Sequence, residues 1–146
     1  MAGEERRSAT AGAPVAAVTA CDGTLALSTG GAIWPGNHGG TFNTVWQLGS
    51  EGWRWVVDWG ADAPLAADPG RVAASRASCR NLTKADAAYA ALGTNDAVPV
   101  SCSGASADGS LLWQLRRAAA GGAFGLRVWA WNGSGFDRIA ALEPAS

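Results

Sequence analysis

The 146 residues include one histidine, His38, and an odd number of cysteines, Cys21, Cys79 and Cys102. One histidine is thin material for a Ser/His/Asp or Cys/His constellation. The cysteines are separated by 57 and 22 intervening residues, so a zinc pattern is missing as well. No apolar run approaches the roughly 18 residues that a membrane-spanning helix needs, and no membrane partner is expected. Charge of one sign is also lacking. Eleven Lys and Arg face twelve Asp and Glu, with no basic cluster beyond Arg6-Arg7 and Arg116-Arg117, which argues against a nucleic-acid partner. Gly30-Gly31 and Gly121-Gly122 lack the strand–loop–helix context of a phosphate cradle, so no cofactor is implied.

An odd number of cysteines cannot all pair within one chain. Cys79 and Cys102 flank a predicted helix and can bridge across it in an exported protein; three reduced thiols in a cytoplasmic one is the other reading. Localisation stays open between cytoplasm and periplasm. Arg6-Arg7 followed by Ala11 to Cys21 resembles a secretion signal, but the would-be apolar region has no Leu, Ile or Phe, and Glu4 and Glu5 precede it. Residues 1–20 therefore read as a disordered or extended tail.

Apolar residues make up 48% of the chain at a net charge of −1, which fits one globular domain. Much of that fraction is Ala, so the core must lean on Leu, Val and the eight Trp. From Cys21 onward strands alternate with turns. Asp22-Gly23 is a turn pair, and Leu25 and Leu27 share one face of the strand that follows. Phe42, Thr44, Trp46 and Leu48 share a face of the next. After Gly49-Ser50-Glu51-Gly52, strict alternation puts Trp53, Trp55, Val57 and Trp59 on one side and Arg54, Val56 and Asp58 on the other.

Residues 61–80, with Pro64, Pro69 and Gly70, read as an extended connector, and 83–93 as the one helix, capped by Thr83 and ended by Gly93. The last segment then echoes the first. Asp108-Gly109-Ser110-Leu111 matches Asp22-Gly23-Thr24-Leu25, Gly122-Ala123-Phe124 matches Gly40-Thr41-Phe42, Val128-Trp129 matches Val45-Trp46, and Gly135-Phe136 matches Gly52-Trp53. The offset is 86 at the first pair and 83 from Val45 onward. Internal duplication and convergence on a common hairpin pattern both account for this. The predicted fold is β-dominated α+β: a curved antiparallel sheet of about six strands and one short helix. Within one domain, 21–146, a hairpin unit (21–60), a connector with the helix (61–100) and a second hairpin unit (101–142) follow one another.

The run Asp22-Gly23-Thr24-Leu25-Ala26, Gly40 to Gln47 and Glu51 to Asp58 resembles the C-terminal strands of small bacterial proteins of the nuclear-transport-factor-2-like (SnoaL-like) superfamily. The match covers about residues 20–60, and the later Ser106–Leu111 and Leu126–Phe136 are similar to a C-terminal extension of some members. The resemblance implies a cone: a curved sheet wrapped around N-terminal helices with a pocket inside. Only about 20 residues precede Asp22, and Gly3, Gly12 and Pro14 make them poor helix material. The expectation is a truncated cone-like fold with an incomplete pocket, whose open apolar face takes a partner, a second copy forming a homodimer.

Candidate site residues follow from these faces. His38 sits in a glycine-rich loop rather than beside an orienting carboxylate, so no catalytic residue is assigned. Asp58 with Arg54 can bind a polar group or form an exposed ion pair. Trp53, Trp55 and Trp59 in one row, with Trp46 on the neighbouring strand, can pack a core or stack on a small apolar or sugar ligand. Trp34, beside Pro35, is the tryptophan expected at the surface. Asn81-Leu82-Thr83 and Asn132-Gly133-Ser134 match glycosylation sequons but read as a helix cap and a turn. The resulting expectation is a non-catalytic small-molecule-binding or assembly domain. The alternatives are an isomerase or hydrolase of the cone-fold type and a carbohydrate-binding module.

Overall fold

Short hairpins punctuated by Asp-Gly and Asn-Gly turns dominate the chain. The computed structural model describes residues 11–36, 38–62, 73–90, 92, 100–117 and 124–142. Sheet A comprises β1 (Ala11–Thr19), β2 (Leu25–Trp34), β3 (His38–Gly49), β4 (Gly52–Asp62) and β5 (Ala73–Arg76) in the order β4-β3-β2-β1-β5. Sheet B comprises β6 (Val100–Ala105), β7 (Leu111–Arg117), β8 (Phe124–Trp131) and β9 (Phe136–Leu142), in that order. All pairings are antiparallel except β5 on β1, which is parallel. One six-residue helix, α1 (Ala85–Ala90), follows a 3-10 turn at Leu82–Lys84. The fold is thus β-dominated α+β.

The described strands number nine in two sheets, against about six expected in one. The additions are β1, β5 and β6, whose Ala, Ser and Gly residues carry little of the apolar alternation that marks a half-buried strand. Residues 11–19 of the predicted tail are therefore an interior strand of sheet A. The helix also begins differently. Thr83 lies inside the 3-10 turn, and Asn81 occupies the cap position in the left-handed conformation, φ 56°, with no side-chain cap bond. Gly93, its predicted stop, lies outside the described residues.

The echo in the sequence corresponds to a repeated unit in the structure. β1–β4 and β6–β9 are two four-stranded units with the same register. Thr19↔Ala26 and Val18↔Leu27 in unit one recur as Ala105↔Leu112 and Gly104↔Trp113 in unit two. Bulges recur at equivalent places as well. Val15 and Ser101 are skipped in β1 and β6, and Val56 and Ile139 in β4 and β9. The Gly-x-Phe echo is one residue out of step. Gly30 faces Phe42, whereas Arg116, the counterpart of Gly30, faces Gly125 rather than Phe124. A one-residue slip puts a side chain on the other face of a strand, so the two phenylalanines are not equivalent.

The units meet across a pseudo-twofold seam made by their Asp-Gly turns. The Asp22 N–H donates to Asp108 Oδ2 at 2.9 Å, and the Asp108 N–H donates to Asp22 Oδ2 at 2.9 Å. Each carboxylate's other oxygen holds its own turn: Asp22 Oδ1 accepts from the Thr24 N–H and hydroxyl, and Asp108 Oδ1 from the Ser110 N–H and hydroxyl. Those hydroxyls accept in turn across the seam, Ser110 from the Cys21 N–H at 2.8 Å and Thr24 from the Ala107 N–H at 3.2 Å. Gly23 and Gly109 take φ of 75° and 76°, the left-handed conformation such turns need from glycine. Burial pushes the Asp108 carboxyl up. Hydrogen bonds from the Ser110 N–H, the Ser106 and Ser110 hydroxyls and the Asp22 N–H outweigh it and hold the group below its ordinary value.

One core lies between the inner faces. Leu25, Leu27, Val45 and Val57 of sheet A join Leu111, Leu126, Val128 and Ala130 of sheet B, with Val18, Trp59, Trp113 and Leu115 around them. A disulfide joins Cys21 to Cys79, not Cys79 to Cys102 as expected. β5 lies alongside β1 and returns the chain to the Cys21 turn, bringing the two Cα atoms to 5.2 Å, whereas Cys102 sits exposed in β6 of the other sheet.

Candidate functional site

The predicted row Trp53, Trp55, Val57 and Trp59 does not share a face. Trp46 pairs with Trp55 and Val45 with Val57, so Val56 is an extra residue in β4. A bulge of this kind resets the alternation of the strand that carries it. Val56, Val57 and Trp59 turn toward the core, and the Trp59 indole N–H donates to the Phe124 carbonyl at 2.9 Å. Trp53 and Trp55 are left on the outer face, paired with Leu48 and Trp46.

The same bulge brings Asp58 over to the tryptophans, because it pairs with Thr44, two residues from Trp46. Of the five candidate residues, Trp46, Trp53, Trp55 and Asp58 therefore stand together on the outer face of sheet A. Arg54 does not. It pairs with Gln47, projects to the other side of β4 and forms an exposed ion pair with Glu51.

Support beneath this face is polar and specific. The Trp46 indole N–H donates to Ser28 Oγ at 3.0 Å, and the buried Thr44 hydroxyl donates to Asp58 Oδ1 at 3.0 Å. Trp46 is half-buried and fixed; Trp53 is 46% exposed, Trp55 40% and Leu48 43%. The face thus offers large amphipathic rings, an aliphatic side chain and one positioned carboxylate. Leu48 belongs to the Phe42–Leu48 stripe read from the sequence, and β3 carries that stripe on one face without a break. Ser28 carries no motif, and Thr44, though placed on this face by alternation, shows its role toward Asp58 only in the cross-strand register.

On the corresponding face of unit two the counterparts of Trp46 and Leu48 are buried, while Arg138, the counterpart of Trp55, is exposed. Trp131, the counterpart of Leu48, is 2% exposed; its indole N–H donates to the Arg80 carbonyl at 2.7 Å, and Phe136, the counterpart of Trp53, meets it edge-on at 5.1 Å. Leu112, Gln114, Arg116 and Trp129 on that face are buried too. Asn81, the first sequon residue, donates from Nδ2 to the Gly133 carbonyl, and Asn132, the second, accepts from the Ser134 and Gly135 N–H groups within its turn.

His38 is exposed where β3 begins, paired with Trp34, away from Asp58 in register. Asn37 and the side chain of Trp34 lie outside the described residues. Among the described residues no group of three His, Cys, Asp or Glu could hold a metal ion, and no helix is long and apolar enough to cross a membrane. No family model, curated protein or solved structure matches the chain.

Proposed function

We propose that this protein is a non-catalytic assembly module whose binding surface is the outer face of sheet A around Trp46, Leu48, Trp53 and Trp55. The observation that carries the reading is the contrast between duplicated faces. Leu48 is 43% exposed and its counterpart Trp131 2%. Exposed tryptophans beside aliphatic side chains are the material of interface hot spots. A second reading, a sugar ligand stacked on Trp53 and Trp55, is favoured by Asp58, whose placed carboxylate can accept from a hydroxyl. The likeness of residues 20–60 to the nuclear-transport-factor-2-like superfamily is kept as a proposal of ancestry, supported by the β3–β4 hairpin that this run forms.

Calorimetric titration with alanine-rich helical peptides, cello-oligosaccharides and the dye anilinonaphthalene sulfonate separates these readings. Peptide binding that weakens at least tenfold in the Trp53→Ser/Trp55→Ser double variant supports assembly, by the usual weight of a central aromatic residue. Oligosaccharide binding with the same dependence supports the second reading. Binding that ignores the double variant, or turnover that depends on His38 or Asp58, sinks both.

A further inference from the structure

The pseudo-twofold relation also says how the outer face of sheet A is covered, an inference that rests on the assembly reading. Among the described residues, unit one and unit two differ in one whole segment, residues 73–90. β5 adds in parallel to the outer edge of β1, pairing Ala16↔Ala73 through Thr19↔Arg76. The chain then crosses the seam as a strap. The Ala77 N–H donates to the Thr19 carbonyl and the Ser78 N–H to the Trp131 carbonyl, each at 2.8 Å. The Arg80 carbonyl receives the Trp131 indole N–H, Asn81 reaches the Gly133 carbonyl at 2.8 Å, and α1 lies beside β9. One strand–turn–helix segment thus lines the edge of its own unit and covers the Trp131 end of the other's outer face.

The symmetric position is built but carries no such segment among the described residues. The counterparts of Ala16–Thr19 are Cys102–Ala105 on the outer edge of β6. Where the β1 residues are half-buried under β5, Cys102, Ser103 and Ala105 are exposed. The counterparts of the Trp131 carbonyl and ring are the Leu48 carbonyl and its exposed side chain. The two features lie at the two ends of the path that the strap follows in the filled copy.

We propose that the β6 edge and the Leu48–Trp53 face form one docking groove for a strand–turn–helix segment of a second polypeptide, seated as residues 73–90 are seated on the other side. Such a partner supplies an extended run of small residues that adds in parallel to Cys102–Ala105, main-chain bonds giving affinity as in other strand additions. Its turn then passes the seam at Ala107, and its helix sets small side chains on Leu48 and Trp53. A second copy of this chain is not the donor, because its own segment is held by the Cys21–Cys79 disulfide and by the bonds to Trp131. Unpaired strand edges invite this kind of addition, and β6 has no proline or lysine to discourage it.

The filled copy supplies both the probe and the trap. Ala107 occupies the place of Cys21, so a Cys102→Ser/Ala107→Cys full-length variant offers a thiol where a docked peptide spanning Ala73–Ala90 would carry its Cys79. In a glutathione redox buffer, peptide mapping by mass spectrometry should find the disulfide between position 107 and the peptide at a yield at least tenfold above that with a scrambled peptide. Adding Leu48→Glu and Trp53→Ser should return it to the scrambled level. A yield equal to the scrambled control overturns the proposal. A fluorescence titration of the unmodified protein with a Cys79→Ser peptide guards against misfolding of the trap. Saturable change that is lost in the Leu48→Glu/Trp53→Ser variant supports the groove, and no change overturns it. If the helical peptides of the assembly test bind the Trp53 face while both of these experiments fail, the groove geometry is wrong and the assembly reading stands.

Discussion

Units one and two share strand order, register, Asp-Gly turns and two bulges, yet equivalent positions carry different side chains. Val18 opposite Leu27 becomes Gly104 opposite Trp113, a medium–medium pair becoming a small–large one of similar joint size. Leu48 with Trp53 becomes Trp131 with Phe136, Cys21 becomes Ala107, and Ala20 becomes Ser106. The backbone plan depends on a few turn and bulge positions that both copies keep. Side chains on the faces have diverged with what covers them, so unit two is packed beneath the connector and unit one presents its tryptophans.

The largest expected effect tests that difference directly. Trp131→Ala should cost about 3–5 kcal/mol in urea unfolding, since it empties a buried ring site and leaves the Arg80 carbonyl without its indole donor. Leu48→Ala at the equivalent, exposed position should cost less than about 1 kcal/mol. Equal losses at the two positions would mean that the outer face of sheet A is as closed as its twin.

A second, smaller effect sharpens the equivalence itself. A Cβ on Gly104 would stand 2.5 Å from the Trp113 indole nitrogen, so Gly104→Val should cost about 1–3 kcal/mol as overpacking. Gly104→Val with Trp113→Leu rebuilds the Val18–Leu27 pair of unit one and should recover most of that loss in a double-mutant cycle. A double variant that is merely the sum of its parts would break the claim that the pair diverged together.

Much of this plan was legible in the sequence, for identifiable reasons. The β2, β3, β7 and β8 strands carry apolar alternation, and the Asp-Gly and Asn-Gly turns carry their own chemistry, so the hairpins and the echo between the two segments could be read directly, while duplication and convergence stayed equally open. β1, β5 and β6 could not. Their alanines, serines and glycines are strands because of what lies beside them, and tertiary pairing overrides weak propensity. The candidate face was half legible. Trp46, Trp53, Trp55 and Asp58 were named, but strict alternation placed Asp58 with Arg54 and Trp59 with the other tryptophans. Val56-Val57 conceals the bulge, because two adjacent valines fit an unbroken strand equally well; only the partner register reveals the extra residue. The disulfide was missed because nothing in the connector's composition signals that β5 returns to β1.

The smallest effect, that of Ser106, belongs to the seam, where the two turns are nearly but not fully alike. Asp108 Oδ1 receives three donors, the Ser106 and Ser110 hydroxyls and the Ser110 N–H, whereas Asp22 Oδ1 receives two from Thr24, because Ala20 stands where Ser106 does. The Asp108 carboxyl is held below its ordinary value, and burial works against that shift. A carboxyl depressed in the folded state stabilises it above the unfolded pKa, and that contribution is lost as pH falls through the folded value. The window is therefore below the ordinary 3.8. Ser106→Ala should raise the Asp108 value toward the ordinary one, read from the carboxyl carbon shift in an NMR titration, and should cost about 1 kcal/mol at neutral pH. Asp108→Asn should cost somewhat more, about 1–3 kcal/mol, since a charged acceptor is removed from several donors. It should also flatten the acid limb of the stability profile that the parent protein shows below pH 3.8. If Ser106→Ala leaves the Asp108 titration where it was, the extra hydroxyl does not distinguish the two turns. The seam would then be symmetric in energy as well as in geometry.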